Sequence, residues 1–177
     1  MKYLKIIKNK DIFSNSDFKK PEKYIKRNTV KAIIFNKQKK IALTTINRHN
    51  FYLLPGGEAL SKNLKQEIKR ECIEEINYTI DIFGIIGKTK EFRDRDKKLF
   101  ITTCFWGKTI KKSLVDYRTE EEKINQQKVI WVDVKKLKSI FKRQIKIALQ
   151  NKVDFYNATF NILRDGIFME EWLKKNN

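Results

Sequence analysis

At 177 residues the chain has the length of one domain, and its 41% hydrophobic and 12% aromatic content supports a real core and excludes a disordered polymer. Lys and Arg number 40 against 21 Asp and Glu, a formal charge of +19. Such a field attracts polyanions (nucleotides, RNA, an acidic membrane surface), but the lysines are scattered from end to end, as compositional bias alone would leave them.

Residues 1–28 alternate short apolar pieces with lysines, and Pro21 interrupts any long helix. The basic N-terminus has no continuous apolar run, so no signal peptide is read there, and no stretch elsewhere is long enough to span a bilayer. Cys72 and Cys104 lack the partners of a zinc site or a disulfide framework, which points to a soluble protein of a reducing cytoplasm. Val30–Phe35, the polar turn 36–40 and Ile41–Thr45 form a hairpin pattern. Phe51–Leu54 is a short strand running into Pro55-Gly56-Gly57, a conspicuous triplet in a chain of 6 Gly and 2 Pro. Residues 63–76 have helical periodicity. Ile80–Ile86 and Leu99–Trp106 read as strands joined by a charged loop, 88–98, and 108–128 reads as a polar loop. Val129–Val134 is a last strand. Lys135–Leu149 and Phe155–Lys175 follow as amphipathic helices, with Leu137, Ile140, Phe141, Ile145, Phe160, Leu163, Ile167 and Trp172 at helical spacing.

The segment 55–78 carries the chemistry. Leu64, Ile68, Cys72 and Ile76 form one apolar stripe, and Glu67, Glu71, Glu74 and Glu75 fall within an arc of roughly 100° beside it. Asn63 and Gln66 make a plausible capping box, and Asn77 can adopt the left-handed conformation that ends helices. Like charges at this spacing repel, so four carboxylates on one face suit hard cations such as Mg²⁺ or Mn²⁺. Gly56-Gly57 can bring a backbone carbonyl close to the same ion. A solvated acidic face neutralised by Lys65, Lys69 and Arg70 is the bland alternative.

Arg70-Glu71-Cys72-Ile73-Glu74-Glu75-Ile76-Asn77-Tyr78, with the Gly-Gly loop and the strand 49–57 before it, resembles the Nudix box. A weaker likeness runs through Gly87–Asp94, 119–122, Trp131-Val132 and Arg164-Asp165. The resemblance implies an α+β chain, a Nudix-like α/β/α sandwich with a mixed β-sheet and C-terminal helices. It would form a single domain over 1–177, with a 28–134 core on which the helices of 135–177 pack. It further implies that Glu71, Glu74 and Glu75 bind Mg²⁺ or Mn²⁺ with help from the Gly56 carbonyl. Arg70 would orient a glutamate, and a general base would come from Glu120, Glu121, Glu122 or Glu91. Three departures stand out: Asn77 replaces a glycine, the loop from Gly57 to Arg70 is one residue short, and Lys62 stands where a glutamate partner of Arg70 is expected. Glu58 or Glu67 could substitute for that partner.

Outside the box, Tyr52 is expected to face the cleft and stack on a base, Arg93 to grip phosphate, and Lys62 to contact phosphate or point to solvent. His49, Phe51 and Trp106 are weaker candidates for substrate contact. No Walker-type phosphate loop is present, so kinase and ATPase readings have no support. Three functional readings follow. One is a hydrolase of a nucleoside diphosphate derivative, one an RNA 5′-end pyrophosphohydrolase, and one a catalytically weak Nudix-fold module that binds a nucleotide or RNA. No membrane partner is expected.

Overall fold

The computed structural model describes residues 2–13, 18–46, 51–115, 128–150 and 155–176. Seven strands build one mixed sheet in the order β1-β5-β6-β2-β3-β4, with β7 also pairing with β3. They are β1 (Tyr3–Lys8), β2 (Ile25–Phe35), β3 (Lys40–Ile46), β4 (Phe51–Leu53), β5 (Tyr78–Arg93), β6 (Lys98–Lys112) and β7 (Lys128–Asp133). β1 runs parallel to β5 and β2 parallel to β6, whereas the other pairs are antiparallel. The helices are α1 (Asn9–Ile12), α2 (Leu64–Ile76), α3 (Val134–Gln150) and α4 (Tyr156–Asn176).

The alternation of β2 and β3 explains the layering, because successive side chains of a strand point to opposite faces. Val30, Ala32, Ile34 and Ala42 pack with Ile68, Cys72 and Ile76 of α2. Ile33, Ile41 and Leu43 face the other way, onto Leu137 and Phe141 of α3 and Phe168, Met169 and Trp172 of α4. The sheet is thus covered by α2 on one face and by α3 and α4 on the other, an α/β/α sandwich. A satellite cluster, Ile7, Ile12, Phe13, Tyr156 and Phe160, ties β1 and α1 to the start of α4. No helix among the described residues is long and apolar enough to cross a membrane.

Three local expectations change. The residues 88–98, expected as a loop, are mostly strand: β5 continues to Arg93 and β6 starts at Lys98, leaving a four-residue turn with Lys97 at φ 53°. The polar reading of 108–128 fails in its first part, since β6 runs to Lys112. Both strands place buried threonines (Thr89, Thr102, Thr103, Thr109) among their charges, which a count of apolar residues overlooks. β1 is an edge strand whose Ile6 is exposed, so its pattern is too weak to announce it.

The β2–β3 turn is made by Asn36, whose side-chain oxygen accepts from the amides of Gln38 (3.0 Å) and Lys40 (2.9 Å). An Asx residue bonding its own following backbone is a common way to reverse the chain.

Candidate active site

The segment after β4 runs antiparallel along β2. The Val30 amide donates to the Gly57 carbonyl (3.0 Å), Ala32 to Pro55 (3.0 Å), and Ala59 to Asn28 (2.9 Å). Gly56 is required here by its backbone, and Gly57 leaves room for a side chain of α2. Gly56 has φ +128°, and a Cβ there would lie 2.2 Å from the Val30 carbonyl oxygen. At Gly57 a Cβ would sit 2.4 Å from the Glu71 carboxylate. The turn therefore lets α2 bring its carboxylates against bare backbone.

α2 starts and stops as its ends dictate. The Asn63 side chain accepts from the Gln66 amide (3.3 Å), and Asn77 takes the left-handed conformation at φ 60°, donating back to the last turn. Between them lies the charge cluster. Arg70 donates to Glu71 (2.5 Å), Glu74 (2.6 Å), Glu67 (3.1 Å) and the Glu58 carbonyl (3.0 Å). Glu75 accepts from the Gly56 amide at 2.5 Å. Burial, and then the neighbouring Glu75, push the Glu71 carboxyl up to about 7, against the pull of Arg70 and Lys31. Two adjacent carboxylates in a poorly solvated place disfavour double ionisation, and a cation would relieve that. Burial works against the charge on Arg70, but the bonds and charges of Glu74, Glu71 and Glu67 outweigh it and raise its pKa.

The missing partner of Arg70 is found. Glu67 fills the role that Lys62 cannot, holding Arg70 with one oxygen and the Ser61 amide (3.1 Å) with the other. The Ser61 bond leads the effects that hold the Glu67 carboxyl below its ordinary value. Glu58, the other candidate, contributes only its carbonyl, since its side chain pairs with Arg27. Lys62 is exposed, and no ion pair to it occurs among the described residues.

Several expectations are corrected. Arg93 does not reach outward for phosphate. It is 3% exposed, its donors go to Glu91, Asn157 and Asn161, and its guanidinium lies between the rings of Phe100 (4.1 Å) and Phe160 (5.0 Å). Glu91 is withdrawn as a base for the same reason: it is fully buried, paired with Arg93 (2.5 Å) and close to Arg164 (3.6 Å). Tyr52 is half-buried against the apolar layer under α3 and α4 instead of facing the cleft, and Gln144 clamps its backbone from both sides. The Gly56 carbonyl, expected for a metal ion, accepts from the Lys31 ammonium, a residue that pattern reading passed over as one more strand lysine. His49, Glu120, Glu121 and Glu122 lie outside the described residues. Cys72 is buried on the apolar stripe, and burial pushes its thiol well above the usual range.

No group of three His, Cys, Asp or Glu side chains among the described residues is arranged to hold a metal ion as it stands. The donor chemistry nevertheless fits a hard divalent ion. Glu71 and Glu75 converge on the Gly56-Gly57 turn, and Mg²⁺ commonly takes one or two carboxylates and completes its shell with water and substrate phosphate. Glu74 turns to Arg70 and lines a cavity of about 660 Å³ with Ile73, Thr79 and Lys111.

No family model matches the chain, and no curated protein matches it. Among solved structures, a NUDIX hydrolase from Nitrosomonas europaea has a TM-score of 0.53 at 16% identity, over 76% of this chain and 90% of that one. The MutT protein from Methanosarcina mazei Go1 is 24% identical over 66% of this chain and 82% of its own, with a TM-score of 0.48. The E. coli ORF135 protein is 13% identical over 66% and 80%, also at 0.48. The chain has the Nudix fold, as the first of these likenesses shows.

Proposed function

We propose that the protein is a divalent-metal-dependent hydrolase that cleaves a phosphoanhydride bond in a nucleoside diphosphate derivative. The observation that carries this reading is the Glu71–Glu75 carboxylate pair at the Gly56-Gly57 turn, with Glu71 held by Arg70 and Glu75 by the Gly56 amide. A scaffold with no cation to bind has no reason to hold two carboxylates together at the cost of raising one of them to about 7.

Glu71 and Glu75, with Glu74 beside them, would hold Mg²⁺ or Mn²⁺. When bound, the ion supplies charge neutralisation on the attacked phosphate and a water of lowered pKa. The chain's own share is positional. Arg70 fixes the Glu71 and Glu74 rotamers, Glu67 fixes Arg70, and the Gly56 amide fixes Glu75. Such preorganisation matters because phosphoryl transfer depends mainly on placement and electrostatics. The proton acceptor falls to Glu121 or Glu122 in the segment before β7. We place the whole chain in one domain in the cytoplasm, with α3 and α4 closing the sheet face opposite α2.

The charge of +19 favours a second substrate class, the 5′ end of an RNA. A panel of nucleoside di- and triphosphate derivatives and a 5′-triphosphate RNA, each with Mg²⁺ and with Mn²⁺, decides between them through phosphate or pyrophosphate release. Release from at least one nucleotide, lost in Glu75→Gln, is the expected result. No release from any substrate would leave a nucleotide-binding module.

A further inference from the structure

Lys31 stands at the site without having been expected there. It lies in the middle of β2, is only 7% exposed, and donates to the Leu54 carbonyl at 2.8 Å and to the Gly56 carbonyl. The backbone explains why these two oxygens converge. In the extended segment 54–57, the Pro55 and Gly57 carbonyls are taken by the amides of Ala32 and Val30. Alternation along an extended chain therefore turns the Leu54 and Gly56 carbonyls the other way. Backbone carbonyl oxygens are among the ligands a hard cation prefers. In this chain the cation already there is an ammonium.

We propose that Lys31 is a resident cation of the active site, standing in for one metal ion, so that the site takes a single divalent ion on the Glu71–Glu75 side. This rests on the metal-dependent reading above. One fact carries it. A divalent ion bonded to the Gly56 oxygen would lie within a few ångströms of the ammonium held by that same oxygen, and the two positive charges would repel. The ammonium has three protons and two carbonyl acceptors. Its remaining proton is directed at an anion, either Glu71, whose ionised form Lys31 favours, or a substrate phosphate oxygen.

The test is a Mn²⁺ titration followed by the paramagnetic resonance signal of the free ion, on the full chain and on Lys31→Met, which keeps the length and apolar stem but removes the charge. Wild type is expected to bind one Mn²⁺ tightly. Lys31→Met is expected to bind a second ion, or to hold the first at least tenfold more tightly. Equal stoichiometry and affinity in the two proteins overturn the resident-cation proposal and leave the hydrolase reading intact. No Mn²⁺ bound by either protein overturns both. Should Lys31→Met fail to fold, crystals of wild type soaked in Mn²⁺ decide the matter. Anomalous density on Glu71 and Glu75 with Lys31 still on the Gly56 oxygen supports the proposal. Density bonded to that oxygen, with Lys31 displaced, overturns it.

Discussion

Two clusters of charge lie on opposite faces of the sheet, and they are built on opposite principles. Beneath α4, Glu91, Arg93, Arg164 and Asp165 are all buried and balanced, two acids against two guanidinium groups. Asn157 and Asn161 take remaining donors of Arg93, and Asp165 accepts from the Leu54 amide at 2.9 Å. On α2, the single guanidinium of Arg70 bonds three carboxylates, Glu67, Glu71 and Glu74, and Arg70 and Glu74 remain partly open to solvent. Balanced, sealed charge holds elements together: this network joins β5 to α4 and α4 to the end of β4. Unbalanced, half-open charge has affinity to spare for an ion or a substrate. The two clusters also communicate, since Asp165 fixes the amide of the same Leu54 whose carbonyl Lys31 holds.

The sharpest way to break the comparison is Glu91→Gln. Removing one charge from a buried, paired set takes the acid from Arg93, while Arg164 keeps Asp165, and should cost about 3–5 kcal/mol of stability. Denaturant unfolding measures that loss, while turnover per folded molecule should stay near wild type. A stable Glu91→Gln protein with lost turnover would reverse the roles assigned to the two clusters. Glu75→Gln should do the opposite. We expect kcat to fall by about two to three orders of magnitude, the range seen when one electrostatic catalytic group is removed, with the melting temperature little changed.

The third prediction uses pH. The folded-state pKa of Glu71 is raised to about 7 from an ordinary value of 4.5, so its protonated form is the one that folding favours. The stability it contributes is fully present below pH 4.5 and is lost as pH rises towards 7. In the metal-free protein, thermal melting across this window should show a decline of about 1–3 kcal/mol, a magnitude set by the shift. Glu71→Gln should flatten the decline. An unchanged slope in that variant would mean that Glu71 is not the group responsible.

The smallest effect is expected for Lys62→Glu. Glu67 already bonds Arg70 and the Ser61 amide, so a carboxylate at the exposed position 62 has no vacancy to fill. Metal affinity and KM should both stay within about twofold of wild type. A rise in metal affinity would show that Glu67 is an incomplete substitute. A raised KM would make Lys62 a substrate contact.

The sequence by itself determined what is local. The stripe of Leu64, Ile68, Cys72 and Ile76, the arc of glutamates, the Asn63 start, the Asn77 stop and the Gly-Gly turn all lie within 22 residues (56–77), where periodicity and cap chemistry act directly. The hairpin of β2 and β3 and the two C-terminal helices were legible for the same reason. Only the tertiary structure decided which charges meet. Lys31 and Gly56 are 25 positions apart, and Arg93 reaches Asn157 and Asn161 across more than sixty. In the sequence these are a lysine among many lysines and an arginine in a charged stretch. Whether such a residue faces solvent, a carbonyl or a buried carboxylate depends on strand register and on which helix covers which face. Those are properties of the packed sheet, and no local pattern encodes them.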